Sequence, residues 1–475
     1  MHRDKLFFLQ SDEKIGGIPP SPQLRQTFSR HCTLFHMNQL FIVKGAYMEP
    51  IRGIEYLRGK LGARRKRVLL RYKQYDMKYQ GRMVGLTIPP ELRAQYRSTI
   101  GWCAKAVDAL ADRLIFREFS EDNFNLNEIY QMNNPDTLFD SAILSALISS
   151  CSFIFISPGD DPTPRLQVVD GANATGIIDP ITGLLSEGYA VLRRSDEGEP
   201  ELEAYFTTGR TDYIEKDKEP YSLFNNAPYP LLVPIIHRPD AIRPFGRSRI
   251  TRSAMYYQNY AKRTLERADI TAEFYSFPQK YVVGLSQDAE PMETWKATVS
   301  SMLQFTKDDQ GDSPKLGQFT TPSMSPFTEQ LRTAASGFAG ETGLTLDDLG
   351  FVSDNPSSAE AIKASHETLR VAAKKAQRNF GSGFLNAGYL AACLRDDFPY
   401  LRRQLYLTTP KWEPVFEPDA STLSLVGDGA IKINQAIPGF FDSDSLRDLT
   451  GIKGNSGGDI FGEGYSPVFD DEDTE

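Results

Sequence analysis

Residues 324 to 370 read as a helix pattern, a break rich in glycine and aspartate, and a second, longer helix pattern. No other stretch restricts the fold as much. Phe327, Leu331, Ala334 and Phe338 recur at helical spacing. Ser325 suits the cap, Pro326 the first helical position and Gly343 the far end. Behind Pro356, Ser357 and Glu360 form a capping-box pair, and Ile362, Leu369, Ala373, Ala376 and Phe380 then follow one face. Thirteen residues, Leu344 to Pro356, belong to neither helix. Two helices holding a fixed irregular loop present that loop to one place. Spacing alone favours the plainer reading, a surface turn between two core helices.

A second long pattern precedes it. Ile250, Ala254, Tyr257, Ala261, Leu265, Ala268, Ala272 and Tyr275 keep a helix period until Pro278 ends it. About 28 residues at 1.5 Å each give roughly 42 Å. Arg252, Lys262, Arg263, Glu266, Arg267, Asp269 and Glu273 occupy the other faces. A narrow, alanine-rich seam between mixed charges suits a helix packed against copies of itself. A core helix of a monomer normally shows a wider and bulkier apolar face. Spacing alone leaves these two readings even.

Elsewhere helices and strands alternate in blocks. From Pro90 to Arg113, Leu92, Tyr96, Ile100, Ala104, Val107 and Leu110 trace a helix face, and Pro135 opens another through Leu138, Ile143 and Leu147. Strand patterns follow at 152–157, 165–170, 189–195, 202–207 and 211–216, separated by Gly, Pro and Asp turns. This predicts a mixed α+β domain with an antiparallel sheet. Residues 279 to 322 read as strand, helix (Pro291 to Phe305), polar loop and strand. Pro410 to Pro418 is extended, and 420 to 450 holds two or three short helices with Ala430, Ile433, Ala436, Ile437, Leu446 and Leu449 as their apolar positions.

Charge and motifs exclude several function classes. A length of 475 residues allows about three domains, and a net charge of −9 argues against a chain whose main task is gripping nucleic acid. Arg58, Lys60, Arg64, Arg65, Lys66, Arg67, Arg71 and Lys73 are a local exception. They could touch DNA or an acidic neighbour, though a solvated helix face is the favoured reading. The longest apolar run, Ala142 to Ile156, is interrupted by serines, so no membrane span is expected. Cys32, Cys103, Cys151 and Cys393 never form a CxxC pair and read as free thiols in a reducing compartment, with no metal or other cofactor. Gly337, Gly340 and Gly343 resemble a phosphate-binding loop, but no GxxxxGK[ST] exists; Gly381, Gly383 and Gly388 follow a helix rather than a strand. Neither HExxH nor GxSxG occurs, and the pairs Asp347-Asp348 and Asp396-Asp397 read as solvated or capping carboxylates. No enzyme is expected.

The wording of 341–351 (ETGLTLDDLGF) and 354–370 (DNPSSAEAIKASHETLR) resembles the portal proteins of tailed double-stranded DNA bacteriophages, the head-to-tail connectors that form a ring at one capsid vertex. Residues 237–285 are similar to that family's first stem helix and its exit into the clip, 86–114 to an early wing helix, and 168–183 to a wing strand and turn. Together the matches span roughly residues 75 to 450 in the family's order. The resemblance implies an N-terminal extension (1–49), wing (50–236), first stem helix (237–278), clip (279–322) and second stem helix (323–343). A tunnel loop (344–356), long wing helix (357–407), crown (408–455) and disordered acidic tail (456–475) complete it.

It implies, further, a homo-oligomer of twelve in the virion, assembled in the host cytoplasm. Double-stranded DNA would pass through it without sequence preference during packaging and ejection. The terminase motor and then head-tail adaptor proteins would dock on it, beside capsid and scaffold proteins. The site residues follow from this frame. Leu344, Leu346, Asp347, Asp348, Leu349 and Asp354 would form the tunnel loop, with Leu346, Asp347 and Asp348 facing the channel and the leucines packing on neighbouring loops. Ile250, Ala254, Tyr257, Ala261, Leu265 and Ala268 would form the seam between subunits, and Asp308, Asp309 and Asp312 a docking loop on the clip. The segment 344–358 holds three aspartates and no Lys or Arg, and twelve copies sum to 12 × −9 = −108 formal charges. Such a constriction repels DNA and lets it slide. The alternatives are another minor capsid or head-tail adaptor protein and, more remotely, a nuclease or NTPase.

Overall fold

The serines inside the run Ala142 to Ile156 mark a change of element. Helix Pro135–Ser149 gives way at Ser150, which takes φ 97°, to strand Cys151–Ser157. The hydroxyls are satisfied locally: Ser149 Oγ donates to the Ser145 carbonyl at 2.6 Å and Ser152 Oγ to that of Ala142 at 2.7 Å. That lets both residues sit fully inside the core. Among the described residues no helix is long and apolar enough to cross a membrane.

The computed structural model describes residues 51–81, 96–159, 162–276, 280–284, 315–318, 320, 323–351, 364–416 and 420–451. The chain divides between Arg52 and Gly53. Of the first unit only Ile51 and Arg52 are described, and all that follows concerns the second. The extension 1–49, the tail 456–475, the helix 291–305, Asp308, Asp309, Asp312, Asp354 and the Ser357/Glu360 capping box lie outside the described residues.

The architecture is α+β. Helices α1 (Ile54–Tyr75) and α2 (Trp102–Ala111) lead to β1 (Phe116–Ser120), α3 (Leu126–Gln131) and α4 (Pro135–Ser149). Strands β2 (Cys151–Ser157), β3 (Arg165–Asp170), β4 (Ala174–Ile178), β5 (Leu185–Arg194), β6 (Pro200–Thr207), β7 (Arg210–Glu215), β8 (Tyr221–Phe224) and β9 (Leu232–Ile236) follow. The remainder is α5 (Arg252–Ser276), β10 (Lys280–Val283), β11 (Lys315–Gln318), α6 (Ser325–Thr342), α7 (Glu367–Arg395), β12 (Thr409–Trp412), α8 (Ala420–Ala436) and α9 (Ser443–Thr450). All pairings are antiparallel, in sheets ordered β3-β2-β9, β4-β5-β6-β7-β8, β1-β12 and β10-β11.

The core forms where α4 and α7 pack on β2 and its neighbours, so consecutive β2 residues from Phe153 to Ile156 are buried on both faces. Beside it, the Phe116 ring lies 4.2 Å from Phe139, 5.3 Å from Trp412 and 5.9 Å from Phe384, which joins β1, α4, α7 and β12. Tyr130 Oη donates to the Phe384 carbonyl at 2.6 Å. The three described cysteines, Cys103, Cys151 and Cys393, are free and buried in this interior. Burial pushes their thiols up, to about 12 for Cys103 and about 11 for the other two.

Two helix boundaries differ from expectation. Within the helix expected from Pro90 to Arg113, residues 90–95 lie outside the described residues, Tyr96 to Gly101 is not helical, and α2 runs from Trp102. There Ser98 Oγ donates to the Lys262 carbonyl at 2.9 Å and Cys103 N–H to Gln258 Oε1 at 2.6 Å. Side-chain and backbone groups of α5 thus take the place of a preceding helical turn. The helix expected to reach 407 ends at Arg395, because Asp397 adopts φ 49° and Pro399 follows.

The basic run is also different from a solvated face. Arg58 pairs with Glu203, Lys60 Nζ donates to the Gly176 carbonyl at 2.6 Å, and Arg71 Nη1 donates to the Ser149 carbonyl at 2.9 Å. Lys60 and Arg64 lie 5.1 and 5.0 Å over the Phe245 ring. These side chains fasten α1 to β4, β6 and α4, and only Lys66, Arg67 and Lys73 are exposed.

Candidate functional site

Helices α5 and α6 form a hairpin with the β10/β11 pair following one and preceding the other. The two helices touch because Gly337 has no side chain: a Cβ there would lie 2.4 Å from the Tyr257 ring. Gly381 and Gly383 on α7 likewise face Pro410 and Ile235 closely. Of the glycines that resemble a phosphate loop in sequence, Gly337 is thus a site of close helix packing, Gly343 caps α6, and Gly340 faces open space.

The seam lies largely inside the protomer. Ala254 and Ala261 are fully buried by this chain's own elements, and Ile250 is buried in the turn before α5 begins. Their apolar surface is already covered by α2, α6 and their neighbours. Tyr257, Leu265 and Ala268 are half-buried.

Below Gly343, which caps α6 with φ 69° and donates to the Ala339 carbonyl at 2.8 Å, the loop tightens into a short 3-10 turn, Asp347–Leu349. Asp348 Oδ2 accepts from both the backbone N–H and the hydroxyl of Thr345 at 2.9 Å. Phe351 N–H closes back on the Leu346 carbonyl at 3.0 Å. Leu344 and Leu349 are buried in the main core and Leu346 packs against it. The apolar surface of Leu344 and Leu349 is engaged within the chain, and Leu346 is half-buried. Asp347 is exposed and Asp348 half-buried. His366, just before α7, brings its Nδ1 to 3.9 Å from Asp348 Oδ2, so the two ends of the loop meet.

Two residues that the sequence did not single out hold this region. Arg249 is buried, and its guanidinium donates to the Ala106 carbonyl at 3.2 Å and to the Thr342 carbonyl at the C-terminus of α6. Burial, with Arg238 nearby, brings it down to about 10. His237 is buried too, and its Nδ1 donates to the Arg247 carbonyl at 2.7 Å. Burial drives its pKa down to about 4. The only trace of either in the sequence is the arginine-rich spacing of 238–252, which has no helical or strand period to reveal what it holds. Among the described residues no three His, Cys, Asp or Glu converge as a metal site would require.

No family model matches the chain. It is 27% identical over 341 residues to the portal protein of Mycobacterium phage L5, covering 67% of this chain and 69% of that one. It is 26% identical over 347 residues to the portal protein of Mycobacterium phage D29, with the same coverage. The chain is a relative of phage portal proteins. Portal proteins are structural, so this relationship brings no enzymatic role with it. Among solved structures, the neck of an empty GTA particle shares 14% identity and covers 80% of this chain and 98% of its own, with a TM-score of 0.43. The neck of a native GTA particle gives 14% identity, 82% and 99% coverage and a TM-score of 0.40. Superposition at that level carries no argument about this chain.

Proposed function

We propose that the chain is the subunit of a portal ring at one capsid vertex of a virion. The ring is the channel through which double-stranded DNA enters during packaging and leaves during ejection, and the platform for the terminase motor and then for tail adaptors. The observation that carries this reading is the identity with two portal proteins over two thirds of the chain. The α5/α6 hairpin suits the paired stem helices, the β10/β11 pair the base of a clip, and α8 and α9 the crown. Loop residue Asp347, exposed above a turn anchored by Leu344 and Leu349, is the group that edges the channel. An acidic edge repels the DNA backbone and leaves it free to slide. DNA is then a passing polyanion rather than a sequence-read ligand.

Negative-stain images and light scattering of the purified protein test this. A ring of several hundred kilodaltons with a central hole is the expected result. A persistent monomer at high protein concentration, in the presence of scaffold and capsid proteins, overturns the reading. A ring map with Asp347 on the outer rim would remove the loop assignment alone.

A further inference from the structure

The two ends of helix α4 are flanked by opposite charges, contributed by α1, the loop before α5 and the start of α5 at one end and by α4 itself and the end of α2 at the other, and neither set is paired among the described residues. At its C-terminal end Arg71 rests on the Ser149 carbonyl. Arg67 lies one turn before Arg71 on α1, and the segment between Arg243 and Arg252 is tied to the same end of α4, Arg249 N–H donating to the Leu147 carbonyl at 2.8 Å and Ser248 Oγ to that of Ile148 at 2.6 Å; burial first, then Arg67, holds the pKa of Arg71 down. Arg67, Arg243 and Arg252 are exposed and make no ion pair among the described residues. At the N-terminal end Asp136 and Asp140 lie beside Asp112, the residue that ends α2. All three are exposed and make no ion pair among the described residues. The partial desolvation of its carboxyl at the helix surface, then the repulsion of Asp136 and Asp112, raises the pKa of Asp140.

The two faces cannot serve each other within one copy. Ser149 lies thirteen positions after Asp136 on the helix, roughly 20 Å at 1.5 Å per residue. That exceeds the screening length of about 8 Å at physiological salt. Exposed charges of one sign with no counter-charge are normal on a chain of strong net charge. Here the cations form a cluster on a chain of net −9, which is where a complementary partner is needed. A closed ring uses a heterologous contact, in which one face of each subunit meets a different face of the next. Three guanidiniums at one end of α4 and three carboxylates at the other fit that requirement in sign and number. Nucleic acid fits less well, because it would meet the three cations and leave the three carboxylates at the other end unpaired.

We infer that these faces dock between successive copies of the chain, with Arg67, Arg243 and Arg252 of one copy against Asp112, Asp136 and Asp140 of the next. The inference rests on the ring reading above and adds which surfaces close the ring.

Charge reversal tests it, with mass photometry as the readout and the wild-type chain as the control. R67E/R243E presents two acidic faces, and D136K/D140K presents two basic ones. Each alone is expected to lower the assembled fraction by at least about tenfold. An equimolar mixture is expected to restore rings of alternating subunits, since each variant's altered face then meets its complement. Far-UV spectra and melting curves establish that each variant is folded, and R67Q/R243Q, which only removes charge, is expected to assemble at an intermediate level. Assembly of either reversed variant at the wild-type level overturns the inference, as does a mixture of folded variants that stays monomeric. Intact rings of R67E/R243E that lose retention of a 30-base-pair duplex would assign the basic face to DNA instead. Failure of the wild-type chain itself to form rings would strike the ring reading, and is thereby distinct from failure of the docking faces.

Discussion

Gly246 shows how much can rest on one residue in a loop. It takes φ 68°, and a Cβ there would stand 2.1 Å from the His237 carbonyl oxygen. Gly246→Ala is expected to destabilise the fold by about 2 kcal/mol or more, seen as a lower denaturant midpoint at unchanged slope. His237 supplies a pH dependence whose sign is fixed. Its folded pKa of about 4 lies below the ordinary 6.5, so the folded state favours the neutral ring. The stability it contributes is complete above pH 6.5 and is lost as pH falls through the window toward 4. The full span is about 3 kcal/mol. His237→Asn keeps a donor for the Arg247 carbonyl and removes the titration. The fall in melting temperature between pH 6.5 and 4 should therefore be shallower in the variant. Parallel curves for the two proteins would show that His237 is not held neutral. Neither residue was visible in the sequence, because each acts through a contact within one tight turn of the arginine-rich segment, where no period exists to read.

At the scale of elements, the α5/α6 contact at Gly337 makes a coupled prediction. Gly337→Leu forces a side chain into the space of the Tyr257 ring and is expected to cost about 1–3 kcal/mol. Tyr257→Ala in the same chain should recover part of that loss, giving a non-zero coupling in a double-mutant cycle. Additive losses would mean that the two residues do not touch. Periodicity made the elements themselves legible: β2, β3, β5, β6 and β7, the helices α4, α5, α6 and α7, and the β10/β11 pair all lie where spacing puts them. What it missed depends on partners far along the chain. The start of α2 moves because Gln258, 155 residues away, takes the Cys103 N–H. Spacing could show that Lys60, Arg64 and Arg71 lie on a helix, but not that β4, Phe245 and α4 wait beneath it. The candidate site was half legible. The loop's position between two helices was readable, while the inward turn of Leu344 and Leu349 was not, since leucines in an acidic loop look alike whether they face a neighbour or the core.

For the whole molecule, two uncompensated faces at opposite ends of one helix make the inferred assembly sensitive to salt. Exposed ion pairs weaken as the screening length shrinks from about 10 Å at 0.1 M to 3 Å at 1 M. The ringed fraction at fixed protein concentration is expected to fall over that range, and sedimentation velocity would show it; a salt-independent fraction would point to apolar contacts. Exposed Leu425 and Ile431 on α8, with Ile437 just after it, are the residues such contacts would use. The pairing of β1 with β12 carries a different consequence, in time rather than in energy. Ser120 and Thr409 are 289 positions apart. A ribosome adding about 5 to 20 residues per second needs roughly 15 to 60 s to cover that interval. Throughout it Phe116 and Phe119 have been made but Trp412 has not. The aromatic cluster is completed only once Trp412 has been made, so until then the growing chain holds a sticky, unfinished core.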